Sequence, residues 1–279
     1  MSNVHPTAII SKNTVLGDNV KIGPYVVIEG DVSIGDNTII HPHVYIKGPL
    51  SVGISNEIFS GSCLGAAPQD FSYNGSDGKI IIGDHNIIRE GVTIHAPVCY
   101  DNADISKNTI IGDHCLLMVN AHIAHNVVLK GHVILANGVL LAGSCVVYDY
   151  AFISGNVLVH QGVRIGANVM ISGGSRIGRD IPPFMLVSSY YGLISGINSV
   201  GLRRAGFSIQ ERETAKNIFR IFKEFNSLNG ARDAIVAHYP DWQDNRMVRI
   251  TLEFLAQSKR GISEFGEGRT AKNSLDFHQ

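Results

Sequence analysis

The chain has 279 residues, 44% of them hydrophobic and only 17% charged, so it can bury a long core in one large domain or a large domain with an appendage. Its formal net charge of −1 argues against general nucleic-acid binding, which needs a clustered positive footprint. The four cysteines, Cys63, Cys99, Cys115 and Cys145, fall at no metal-binding or disulfide-framework spacing and read as reduced thiols.

The N-terminus, MSNVHPTAII, lacks the charged and apolar stretches of a secretory signal. No apolar run approaches the length of a membrane-spanning helix, so a soluble cytoplasmic protein is expected. From Ile10 onward an aliphatic residue recurs every six positions, through Leu16, Ile22, Ile28 and on to Leu64. The phase restarts with Ile82, Ile88 and Ile94, and again with Ile111, from which it runs unbroken to Ile177. Period six fits neither the helical period of about 3.6 nor simple two-residue alternation. It fits a short strand plus a corner, three of which close a triangular coil of eighteen residues. One aliphatic side chain per face points inward, and coils stack at the strand spacing of about 4.8 Å. The predicted fold is therefore an all-β left-handed parallel β-helix.

Two stretches break the phase, residues 66–80 and 96–108, both rich in Gly, Asn or Asp. They read as loops expelled from the coil, and long loops on a rigid scaffold tend to carry function. After Ile177 the phase fades through Pro182-Pro183 and an irregular stretch to about Phe207. A helical tail follows. Ser208 and Glu211 have capping-box spacing, and Ala215, Ile218, Phe219, Phe222 and Phe225 follow the helical apolar pattern. Further helices are predicted over about 230–239 and from about Asp244 to Gln257. The expected organisation is a β-helix domain over 1–190, a connection over 191–207, a small helical domain over 208–262 and a polar tail over 263–279.

Residues eighteen apart sit above one another in such a coil. His125, two places after the inward Ile123, stands at a corner, with Gly143 and then Gln161 above it. A histidine beside a backbone N–H that no Cβ obstructs suits a general base next to an oxyanion donor. His122 and His160 point outward at nearby levels. A single histidine is more often structural, but three with a stacked glycine favour chemistry. A second corner column, Asn137, Gly155 and Gly173, is either a run of ordinary corner glycines or a groove in which a long chain could lie. Arg212, Lys216, Arg220 and Lys223 form one stripe of the first tail helix. It is a solvated face or a dock for an acidic carrier protein.

At NAHIAHN (120–126) the sequence resembles the bacterial UDP-N-acetylglucosamine acyltransferases of lipid A synthesis, hexapeptide-repeat transferases. The resemblance covers nearly the whole chain, through HPTAII, IREGVTIH (88–95), LAG (141–143), HQ (160–161), IPPF, GLRRAGF (201–207) and SKRGI. It implies transfer of a 3-hydroxyacyl chain from acyl carrier protein to the 3-position of UDP-N-acetylglucosamine or its 3-amino analogue. His125 would be the general base and the Gly143 N–H the oxyanion donor. His122, His160 and Gln161 would position substrate, Asn198 and Arg204 would hold the nucleotide, and Asp70 would touch the sugar or orient the base. Gly155, Gly173 and Tyr191 would line or end the acyl groove. A homotrimer with sites between subunits is implied, with no cofactor and no metal. The sequence departs from the family pattern at Ser144, at Tyr191 (each where the family has histidine), at Ser72 (a basic residue), Val200 (an acidic one) and Gly162 (an aromatic).

Three other readings stay open. One is an N-acyltransferase acting on another nucleotide-linked amino sugar, with acyl-CoA as the donor. Another is a zinc site of the γ-carbonic anhydrase type, for which His122-x-x-His125 does not by itself give three ligands. The third is a purely structural β-helix.

Overall fold

The structure, a computed structural model, describes residues 2–71, 73–75, 78–99, 106–225 and 227–266. Ser72 and residues 267–279 lie outside them. The six-residue period produces the coil it predicts. Short parallel strands pair with the strand one turn away, giving three sheets of eleven, nine and eight strands. On one face the register runs His122–Leu140–Leu158–Arg176, in steps of eighteen residues. The inward column of that face, Ile94, Ile123, Leu141, Val159 and Ile177, is at most 3% exposed. Each such side chain contributes about 1.5–3 kcal/mol by leaving water. The corners use left-handed backbone, reached by Asn126 at φ 58° and Ser144 at φ 59°. Asparagine tolerates this region better than most residues.

The two interruptions do not disturb the stack. Cys63 pairs with Thr93 and Thr93 with His122, so the step lengthens to thirty and twenty-nine residues while the register holds. Both excursions leave at the same corner. The first lies between strands Cys63–Ala66 and Ile80–Ile82, the second between Thr93–His95 and Thr109–Ile111. His125 occupies that corner on the next coil, between strands His122–Ile123 and Val128–Leu129.

The last coil differs from the expected irregular stretch. Strand Met185–Val187 still pairs in parallel with Met170–Ile171, but Ile194–Ile197 then adds antiparallel. A six-residue helix, α1 (Ser199–Arg204), follows, capped by Asn198. It contains Gly201 and is too short to show a helical period. Helix α2 (Ile209–Glu224) carries the capping box of Ser208 and Glu211 and buries Ala215, Ile218 and Phe222. Phe225, read from the sequence as part of that apolar face, is instead the extended C-cap and 39% exposed. Helices α3 (Leu228–His238) and α4 (Arg246–Gln257) complete the tail, with α4 starting just after its cap, Asn245. No helix of the described residues is long and apolar enough to cross a membrane.

A strap then returns to the coil. Asp180 donates its N–H to Gly261 O and accepts from Ser263 N–H at its own carbonyl, at 3.0 and 2.9 Å. Its carboxylate, fully buried, accepts from the Ser258 hydroxyl (2.6 Å) and the Arg164 N–H (2.8 Å). Burial pushes this carboxyl above its ordinary value, and the hydrogen bonds oppose the shift. Phe265 packs against Phe219 and Phe222 and closes the strap onto α2.

Candidate active site

His125 stands at its corner yet is only 6% exposed, because it is not turned out to solvent as its position in the coil suggests. Its imidazole lies directly across Gly143. A Cβ on residue 143 would fall 2.1 Å from the ring Cε1 and 2.3 Å from Nε2. Only glycine lets the ring take this place. The Gly143 N–H donates no hydrogen bond among the described residues, so a donor without a partner sits beside the ring.

Asn126 decides which ring nitrogen carries the proton. Its amide nitrogen donates to Val98 O (2.9 Å) and Ser106 O (2.7 Å), so its oxygen is the atom that accepts from Val98 N–H (2.9 Å). His125 Nδ1 lies 2.9 Å from the same oxygen and must therefore donate to it. Neutral His125 thus holds its hydrogen on Nδ1 and its lone pair on Nε2, a tautomer that suits a general base. The Asp70 carboxylate, from the first excursion, lies 3.8 Å from Nε2. It can stabilise the imidazolium that forms when Nε2 takes a proton.

His122 Nδ1 is 2.7 Å from the Thr93 hydroxyl, directly across the register. Its ring meets His95 edge to face at 4.8 Å. His95 is buried, and burial, then the neighbouring His122 and His125, push its ionisation down to about 4. Burial lowers His122 as well, with His125 a second cause. These imidazoles, with Gly143, Gln69, Gln161 and the half-exposed leucines Leu140 and Leu158, enclose a cavity of about 320 Å³.

The depressed ionisation of His95 has a thermodynamic consequence. The unfolded chain takes up this proton near 6.5, the folded chain only near 4. Between those values the unfolded state binds more protons, so stability rises with pH, is fully present above 6.5 and is lost as pH falls towards 4. Allowing for partial solvent access, the loss is about 2 kcal/mol. Denaturant midpoints at pH 7 and pH 4.5 should differ more in the wild type than in His95→Gln, and equal differences would remove His95 as the cause.

The cavity thus unites five of the residues singled out by sequence: His122, His125, Gly143 and Gln161 line it or its wall, and Asp70 reaches His125. His160, exposed, lines an adjoining cleft instead. Asn198 spends its amide on capping α1 through Gly201 N–H and on Asn168 O, and Arg204 lies exposed in the last turn of that helix; neither lines this cavity in one chain. Gly155 and Gly173 stack on the opposite corner of the same face, where a Cβ on either would come 3.2 Å from a carbonyl oxygen. Tyr191, exposed, packs against Tyr190 beyond them. In the basic stripe of α2, Arg212 donates to Phe207 O, Lys216 pairs with Glu213 and Arg220 donates to Asn217, so much of its charge is engaged within the chain. Among the described residues no His, Cys, Asp and Glu group converges as metal ligands. His95, Thr93 and Asn126 were missed by sequence reasoning. His95 does fall within the IREGVTIH motif, which was the available signal.

Comparison with known proteins agrees in sequence and in structure. Residues 180–263 match the family described as Udp N-acetylglucosamine O-acyltransferase; Domain 2, and residues 13–48 match the bacterial transferase hexapeptide (six repeats). The chain is 40% identical over 263 residues to the acyl-[acyl-carrier-protein]–UDP-N-acetylglucosamine O-acyltransferase of Halorhodospira halophila, covering 94% of this chain and 99% of that protein. It is 37% identical to the protein of the same name from Aliarcobacter butzleri, over 94% and 98%. Among solved structures, the UDP-N-acetylglucosamine acyltransferase of Francisella novicida superposes with a TM-score of 0.88 at 30% identity, covering 99% of this chain and 100% of that one. The Bacteroides fragilis enzyme does so at 0.86 and 36%, over 93% and 99%.

Proposed function

The chain belongs to the UDP-N-acetylglucosamine O-acyltransferase family, and from that premise we propose that it moves a 3-hydroxyacyl chain from acyl carrier protein to the 3-hydroxyl of UDP-N-acetylglucosamine, the opening step of lipid A synthesis, in the cytoplasm. The observation that carries this reading is the His125 imidazole lying on Gly143 with its Nδ1 hydrogen committed to Asn126.

His125 Nε2 takes the proton of the sugar hydroxyl as its oxygen attacks the thioester carbonyl. The Gly143 N–H stabilises the tetrahedral oxyanion. Collapse breaks the carbon–sulfur bond, and the departing thiolate recovers the proton from the His125 imidazolium, leaving ester, free carrier thiol and neutral base. Asp70 steadies the imidazolium in between. His122, held by Thr93, positions the sugar together with Gln161, and His160 does so from the adjoining cleft. The acyl chain runs past Leu140 and Leu158 towards the glycine corner of Gly155 and Gly173, with Tyr191 beyond it. Residues 1–190 serve as the catalytic β-helix and 208–262 as the helical unit facing the carrier. Asn198 and Arg204, which do not line the cavity of their own chain, would contact the nucleotide at a neighbouring copy's site, which makes a homotrimer part of the proposal.

The test is a product assay with UDP-N-acetylglucosamine, its 3-amino analogue and a panel of 3-hydroxyacyl carrier proteins, read by mass spectrometry. The expected product is one acyl sugar, whose mass gives the chain length and whose fragmentation gives the acylated atom. Absence of product from every pair would overturn the proposal.

A further inference from the structure

Where the strap crosses the helical unit it leaves a groove of about 450 Å³ between the end of α2, the start of α3 and residues 261–265. Its walls are apolar, formed by Phe225, Leu228, Ile262 and Phe265. Phe225 is 39% exposed, so aromatic surface is left in water there. Two cations stand on the rim. Lys223 lies over the Phe219 ring, and the exposed Arg179 reaches Glu264 at 3.6 Å. An apolar trough with a positive rim fits a short extended segment whose apolar side chains point inward and whose carboxylate meets the rim.

The chain itself carries such a segment. Leu275-Asp276-Phe277 reads apolar, acidic, apolar, and nowhere else beyond Gly266 does the sequence hold a large apolar residue. It lies past residue 263, where the match to the family's second domain ends. Eight residues, 267–274, join it to Gly266. A link of that length spans up to about 30 Å, and Phe265, just before Gly266, is part of the groove wall. Reach therefore does not limit the fit. The tether also decides how strong the contact must be. A link this short holds a segment near its site at an effective concentration on the order of 1 mM. An affinity of only about 100 μM then fills the groove about nine-tenths of the time.

We propose that this groove is the docking site of the chain's own C-terminal segment, with Leu275 and Phe277 in the trough and Asp276 against Lys223 and Arg179. The segment then clasps the strap to the corner between α2 and α3. Nothing in this fit depends on acyl transfer, so it stands or falls apart from that reading.

Hydrogen exchange read by mass spectrometry compares the full-length protein with its Leu275→Ser/Phe277→Ser variant. Both substitutions lie beyond the family match, so the variant should fold, as melting curves would verify. Amides of residues 221–228 and 261–265 are expected to exchange about tenfold faster in the variant, the ratio of filled to empty groove at that occupancy. The synthetic peptide 267–279 is then titrated into both proteins. It should bind the variant with Kd on the order of 100 μM and the wild type about tenfold more weakly, because the wild type's own segment competes. Adding Lys223→Glu, at an exposed position, to the variant should weaken the peptide about tenfold further. Equal exchange in the two proteins, equal peptide binding by both, or peptide binding indifferent to Lys223→Glu would each overturn the proposal. So would a concentration-dependent dimer of the variant with no affinity for the peptide, which would give the groove to a second copy of the chain.

Discussion

Replacing His125 with alanine is expected to lower kcat by about 10³–10⁴-fold, the upper part of what a positioned general base contributes. The size of the effect follows from the wiring around the ring. Asn126 takes the Nδ1 hydrogen, so a single lone pair, on Nε2, faces the cavity and Asp70. The neighbouring imidazoles offer no easy substitute: His122 is tied at Nδ1 to Thr93, and His95 is buried beneath it. The fold should survive, since the inward column at this level is Ile123, not His125. Circular dichroism melting and a mass-spectrometric rate assay would check both halves. A folded variant working within tenfold of the wild type would remove His125 from the role of base.

The second large effect is expected from the smallest substitution. Gly143→Ala adds one methyl group whose carbon would lie 2.1–2.3 Å from two atoms of the His125 ring. The backbone cannot give way, because Ser144 N–H is bonded to His125 O and Gly162 N–H to Gly143 O in adjacent coils. The imidazole must swing aside instead, losing its hydrogen bond to Asn126 and its alignment with the oxyanion donor together. A loss of about 10²–10³ in kcat is expected, with a stability cost of about 1–3 kcal/mol from overpacking. Gly178→Ala is the matched control, since an added Cβ there would meet no heavy atom of the described residues within 4 Å. If Gly143→Ala retains more than half of wild-type kcat, the close approach of ring and glycine has no catalytic weight.

The coil was legible because every turn makes the same demand: one aliphatic side chain inward at each sixth residue. From Ile111 onward nothing interrupts it, so His125, Gly143 and Gln161 could be stacked by counting eighteens. Where the count is broken, the reading stops. One eighteen-residue step back from His122 lands inside the second excursion, whereas its true neighbour on the previous coil is Thr93, twenty-nine residues away, beside His95. Asn126 was opaque for a related reason. Its partners Val98 and Ser106 lie 28 and 20 residues back, where the excursion leaves and rejoins the coil, and no local pattern records that return. Asp70 was reached only through family resemblance, again because it sits on an excursion. The α1 turn left no trace because six residues do not complete two helical turns.

His125 and Gly143, the proposed base and oxyanion donor, belong to neighbouring rungs of one ladder, and their separation is set by the pitch of the coil rather than by the reach of flexible side chains. Such a site has no loosened form short of the coil itself coming apart. Warming should therefore leave the chemistry well aligned until the solenoid melts, so that catalytic competence and fold are lost in a single event.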